Sequence, residues 1–129
     1  MSGIVILQLE AHTWEDERGW GARPMEAAGL AGKTIGDVHV VSMNPGKVRG
    51  NHVHDGTEWL LVFGGKLEIR SRPSDDAEVR METVDEEKPV LLEIPPGVRH
   101  SFKNVGGKTM YLLAFSDREK LVTTRAVLG

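Results

Sequence analysis

Apolar positions in this chain alternate with polar ones over short runs, turn residues separate those runs, and no long stretch keeps a helical period. The runs predict strands over Ile4 to Leu9, Val38 to Met43, Glu58 to Phe63, Lys66 to Arg70, Val79 to Val84, Val90 to Ile94, His100 to Asn104 and Thr109 to Phe115. Between them lie Pro45-Gly46, Gly64-Gly65, Pro73-Ser74-Asp75-Asp76, Pro95-Pro96-Gly97 and Gly106-Gly107. The two Gly-Gly pairs can supply the positive φ angles of tight hairpins. Many short strands at regular spacing predict an all-β fold, an antiparallel barrel or sandwich with little helix.

Two regions depart from the alternation. Gly19 to Gly36 is rich in Gly, Ala and Pro and reads as irregular cover, with one helical turn around Met25 to Ala28. Ser71 to Glu87 is polar with mixed charges and reads as an exposed hairpin within the domain. The strand Glu58 to Phe63 is apolar on both faces: Leu60 and Val62 on one, Trp59, Leu61 and Phe63 on the other. Such a strand needs cover outside the barrel, either from Gly19 to Gly36 or from a second subunit. No linker, repeat or low-complexity segment divides the chain, and its 129 residues suit a single domain over 1–129.

Composition narrows the partners. Sixteen basic and 19 acidic residues give a formal charge of -3, which offers no electrostatic ground for expecting nucleic acid or an anionic membrane. Cysteine is absent, so thiolate metal sites, cysteine nucleophiles and disulfides are excluded together, consistent with a cytoplasmic location. The N-terminal MSGIVILQLEAHTWEDERGW has no basic residue before its short apolar run, and neither a signal peptide nor a membrane span is expected there.

The candidate chemistry lies in Gly46 to Gly65, GKVRGNHVHDGTEWLLVFGG, which holds two of the five histidines. Alternate residues of a strand share a face, so His52 and His54 project to one side. Glu58 has the same parity and follows Asp55-Gly56-Thr57, where a bend would bring its carboxylate beside the imidazoles. His100 follows a Pro-Pro-Gly turn at the start of a strand, placed to reach inward as a fourth ligand. Three imidazoles and one carboxylate suit one divalent transition ion, zinc, iron, manganese, nickel or cobalt, with zinc slightly favoured. His12 and His39 are read as structural or solvated. Trp59 and Phe63 face away from Glu58 and are assigned to packing, Arg99 alternates away from His100, and Trp20 is assigned to packing over the barrel.

These residues carry a resemblance. Gly46, His52-Val53-His54, Glu58 and Gly65 stand at the spacings of the first motif of the cupin superfamily, and Pro95-Pro96-Gly97, His100 and Asn104 match its second, with Pro89 in place of the usual leading glycine. From Gly46 to Asn104 the resemblance covers nearly half the chain. It implies an antiparallel jelly-roll β-barrel, metal held by His52, His54, Glu58 and His100, and a homodimer. Val48 to His54 with Thr57-Glu58-Trp59 is similar to cupins acting on nucleotide-linked keto-sugars, such as the C-terminal cupin domain of bifunctional capsular-polysaccharide sugar-nucleotide reductases. Asp16-Glu17-Arg18-Gly19-Trp20 resembles an element of dTDP-4-keto-6-deoxyglucose 3,5-epimerases. In metal-free epimerases of that kind the residue matching His52 is the base. Here the complete ligand set assigns His52 to the metal and leaves the base unidentified.

The resemblance implies an epimerase or isomerase of a free or nucleotide-linked keto-sugar, working by metal-assisted enolisation. Arg49, and with it Arg18, is expected to bind a ligand phosphate, because guanidinium offers paired donors. The ligand is then a sugar or sugar nucleotide. Two other classes remain open: a metal-dependent binding module without turnover, and an iron(II) dioxygenase.

Overall fold

The computed structural model describes residues 3–86 and 88–128. Twelve strands carry the described chain: β1 (Val5–Leu7), β2 (Thr13–Asp16), β3 (Gly19–Ala22), β4 (Asp37–Met43), β5 (Val48–His54), β6 (Glu58–Phe63), β7 (Gly65–Arg72), β8 (Arg80–Glu86), β9 (Val90–Ile94), β10 (Arg99–Asn104), β11 (Met110–Ser116) and β12 (Thr123–Arg125). Helix is confined to a 3-10 turn, Glu10–His12, and one α turn, α1 (Pro24–Ala27), with proline at its start. No helix among the described residues is long and apolar enough to cross a membrane.

Two five-stranded antiparallel sheets face each other as a jelly roll, one in the order β1-β9-β6-β11-β4 and the other β12-β5-β10-β7-β8. The sheets are not closed into one continuous barrel, and the fold is the all-β antiparallel jelly roll expected. Expected and observed strands agree within a residue or two over most of the length. Gly64 has φ 90° and turns β6 into β7, whereas neither Gly106 nor Gly107 has positive φ, so the second Gly-Gly pair does not play the role expected of it. Gly19 to Ala22 pairs with Thr13 to Asp16 as a hairpin, so the cover segment is more regular than its composition suggests. The polar stretch from Ser71 forms the end of β7, a turn, and β8 as an exposed hairpin; its last residue, Glu87, lies outside the described residues.

The core fills the space between the sheets. Leu60, Val62, Leu92 and Leu112 from one sheet meet Leu67, Ile69, Val84 and Phe102 from the other, all buried. A second cluster explains the doubly apolar β6. On its outer face Trp59, Leu61, Leu91 and Phe115 are covered by Leu9, Leu30, Met25 and Ile35 of the same chain. Trp59 stacks on Phe115 at 5.8 Å between ring centres and donates its indole N–H to Glu93 Oε1. Trp20 packs edge-on against Phe63. Those aromatic residues are thus packing residues.

Asn104, the last residue of the second motif, closes the far end. Fully buried, it donates from Nδ2 to the carbonyls of Met43 and Lys108, and its Oδ1 accepts from the Gly106 amide. One side chain ties β10, β4 and the turn into β11 together.

Candidate metal centre

The open end of the jelly roll holds a cavity of about 530 Å³ with the histidines in its wall. His52 and His54 lie on β5, and His100 lies directly opposite His52 on β10. Gly50 makes that pairing possible. The ladder between β5 and β10 shifts register between His100 and Ser101, and Gly50 lies so close to β10 that a Cβ would stand 2.9 Å from the His100 carbonyl oxygen. Its φ of 102° and the 61° of Asn51 twist β5 where the strands meet.

The three imidazole rings lie 4.9 to 5.1 Å apart between centres. One ring nitrogen from each falls within 4.8 Å of the others. His100 Nδ1 donates to the Val98 carbonyl at 3.0 Å; a carbonyl only accepts, so Nδ1 carries the proton and Nε2 is left with its lone pair. His54 Nδ1 bonds Thr123 Oγ1 at 2.9 Å, which turns Nε2 inward. Among the described residues, four buried side-chain nitrogens lack a hydrogen-bond partner, and three of them are His52 Nδ1, His54 Nε2 and His100 Nε2. Buried polar atoms normally find partners, and these three nitrogens together could hold a metal ion.

Electrostatics keep these rings neutral. Burial, reinforced by His52, lowers His54 to about 4; burial likewise lowers His100 to about 4 against the opposing Val98 bond, and lowers His52. Lone pairs are therefore available at neutral pH, as metal ligation requires. The donor set fits a borderline divalent ion.

Glu58 reaches the site from the other sheet. Asp55 to Thr57 carries the chain across the gap between β5 and β6, and Glu58 Oε1 comes to 3.7 Å from His54 Nε2. Glu58 is outside the group of mutually close nitrogens, so the structure gathers three of the four expected ligands and sets the carboxylate beside one of them. Burial raises Glu58, a push that His39 opposes when its ring is protonated and that Asp37 augments. With His54 neutral, this contact is not an ion pair.

Arg49 lines the cavity and its Nε donates to the Ser42 carbonyl at 3.0 Å, which leaves its terminal nitrogens available. Arg18 is not among the lining residues. It sits exposed between β2 and β3 in a salt bridge to Asp16, and is not brought to the site. Arg99 pairs with Asp75, as its outward parity implies.

Three features escaped the sequence reading. Thr123 belongs to β12, too short and polar to register as a strand, yet it holds His54. Arg118 and Lys120 add cationic groups to the cavity, Arg118 paired with Asp55 at 3.1 Å. His39, read as structural or solvated, lies on the cavity wall with Nδ1 2.7 Å from Asp37 Oδ2. The signal for it was available: Asp37, His39 and Val41 alternate on one face of β4.

Two open antiparallel sheets around a histidine-lined cavity define the cupin class. Within that class the chain belongs to the polysaccharide biosynthesis C-terminal domain family, whose model matches residues 15–121. It is similar to the capsular polysaccharide assembling protein CapF from Staphylococcus aureus, with 29% identity and a TM-score of 0.66 over 74% of this chain. The match spans 27% of CapF, so this chain corresponds to about a quarter of that protein. A dTDP sugar isomerase from Desulfovibrio desulfuricans shares the fold with a TM-score of 0.79 at 17% identity, over 97% of this chain and 84% of that one. The 3,4-ketoisomerase QdtA from Thermoanaerobacterium thermosaccharolyticum, solved as a double mutant with TDP, shares it with a TM-score of 0.69 at 18% identity, over 95% and 88%. No curated protein matches the chain in sequence.

Proposed function

We propose that the chain is a metal-dependent epimerase or isomerase of a keto-sugar carried on a nucleoside diphosphate. The observation that carries this reading is the convergence of three unpartnered imidazole nitrogens in one cavity that also bears Arg49. Membership of a polysaccharide biosynthesis family supports a sugar substrate, and QdtA has been solved in complex with TDP and, as the H51N mutant, with TDP-4-keto-6-deoxyglucose.

His52, His54 and His100 would hold the ion, with Glu58 beside them as the fourth ligand. A divalent ion there supplies a Lewis acid that stabilises negative charge developing on a neighbouring oxygen. The chain's own groups do the rest. Thr123 and the Val98 carbonyl fix the orientation of His54 and His100, so the ligand nitrogens point inward. Leu60, Phe102, Leu112 and Ala114 give the cavity apolar lining, a low-dielectric surface that strengthens charge interactions beside it. Arg49 in the cavity lining is the residue we assign to a phosphate, with Arg118 and Lys120 adding positive charge.

The test is exchange of solvent deuterium into dTDP-4-keto-6-deoxyglucose, followed by mass spectrometry on protein of measured metal content. Metal-dependent exchange is expected in wild type, with metal lost in His54→Ala and His100→Ala. Tight binding of the sugar nucleotide with no exchange would instead leave a binding module, and oxygen uptake with iron(II) a dioxygenase.

A further inference from the structure

Enolisation needs a group that moves the proton, and His52, His54 and His100 are committed to the ion. The opposite wall carries another candidate. Asp37, His39 and Val41 line the cavity from β4, in the sheet of β6 and β11, whereas the three-histidine cluster hangs from β5 and β10. The start of β4 inverts the usual alternation: Asp37 and His39 face the cavity, while Val38 and Val40 point outward at 55% and 61% exposure. A His-Asp pair turned into the cavity reverses the usual polar-out alternation of a sheet and suits an inner face with polar work to do.

The pair has a definite hydrogen-bond direction. Asp37 as a carboxylate only accepts, so His39 Nδ1 carries a proton and donates it across 2.7 Å; in the neutral ring the lone pair then lies on Nε2. His39 is outside the metal-binding group, so this lone pair is not claimed by the ion. Its ring is half exposed and accessible to a ligand in the cavity. An exposed contact of this kind adds little to stability, which gives no reason for its placement on the cavity wall.

We propose that His39, oriented by Asp37, is the base that removes the proton from the carbon next to the sugar ketone. The C–H bond breaks, its electron pair enters the adjacent carbonyl to give the enediolate, and the proton goes to His39 Nε2. The imidazolium formed is stabilised by the Asp37 carboxylate. Return of a solvent-exchanged proton to the same face yields labelled starting sugar with no net oxidation or reduction, so exchange isolates this step. The assignment rests on the enolising reading above.

The experiment compares wild type, His39→Gln, Asp37→Asn and a His12→Gln control, each loaded with zinc, for deuterium uptake into dTDP-4-keto-6-deoxyglucose. His39→Gln is expected to lower exchange at least about 100-fold, the scale of general base catalysis, with zinc content unchanged and affinity for the sugar nucleotide within about threefold. Asp37→Asn should lower it about tenfold and His12→Gln not at all. A readout without turnover accompanies it: bound sugar nucleotide should protect His39 of wild type from diethyl pyrocarbonate. Exchange in His39→Gln within threefold of wild type, or equal modification of His39 with and without ligand, overturns the base assignment alone. Absence of exchange in zinc-loaded wild type overturns the enolising reading and the base together.

Discussion

At the scale of single residues, charge and hydrogen bonding decide what each group near the cavity does. Arg49 spends one nitrogen on the Ser42 carbonyl and presents the rest of its guanidinium to the cavity, a geometry suited to bidentate phosphate recognition. Arg49→Ala should therefore weaken binding of TDP at least tenfold in calorimetry while leaving zinc content unchanged; equal loss of both would give Arg49 a structural role. The histidines yield a second prediction, for metal-free protein. Burial holds His54 and His100 at about 4 in the folded chain, against 6.5 when unfolded. Below 6.5 the unfolded chain binds protons that the folded chain refuses, so stability falls as pH drops from 6.5 towards 4 and is independent of these groups above 6.5. The loss amounts to a few kcal/mol at its full extent. Glu58, raised by burial, pulls the other way, because its folded form keeps a proton that the unfolded chain has released. Urea midpoints in the presence of a chelator should drop between pH 7 and pH 5, and His100→Gln should flatten that dependence. What the sequence revealed at this scale was parity. His52 and His54 met because alternate strand residues share a face, and His100 joined them as the cross-strand partner of His52. Arg18 was drawn in by a short motif, and a motif carries no information on which side of the molecule a hairpin lies; its nearest charge, Asp16, took it.

At the scale of elements, the site depends on how β5 is bent. A regular strand there would collide with β10, and Gly50 with its positive φ removes both the side chain and the strain at the closest approach. Gly50→Val should thus cost more than a strand substitution usually does. The backbone at β10 must move, His100 leaves its place opposite His52, and zinc affinity is expected to fall at least tenfold together with thermal stability. Unchanged zinc affinity in calorimetry would mean that the bend is incidental to the centre. Strands that are short continuous apolar runs bounded by turn residues, such as β6 and β9, were read from the sequence to the residue, because their burial writes itself into the run. β5 itself, β2, β3 and β12 were not. Their residues are polar or small and are held by pairing with neighbours: β12 on β5 through Thr123 opposite His54, and β2 on β3. Pairing leaves no periodic mark in composition, since its hydrogen bonds come from the backbone that all residues share.

At the scale of the whole molecule, the apolar outer face of the β6 sheet divides into two parts. Around Trp59, Leu61 and Phe115 the chain supplies its own cover through Leu9, Leu30 and Met25. Toward β4, the edge strand of that sheet, Val38 and Val40 stand more than half exposed, and Tyr111, opposite Ser42 on the neighbouring β11, is 44% exposed. An unpaired edge bearing apolar side chains is a surface that proteins seldom leave to water. We propose a second copy of this chain as the cover, joined along β4 with the valines packed between the two. The inner side of the same strand bears Asp37 and His39, so pairing there would stiffen the wall that holds the proposed base. Sedimentation equilibrium at tens of micromolar should return a dimer for wild type. Val40→Glu, which places a charge in the contact without touching the cavity, should return a monomer that keeps its zinc. Wild type sedimenting as a monomer would remove the dimer, and a Val40→Glu dimer would move its interface away from β4.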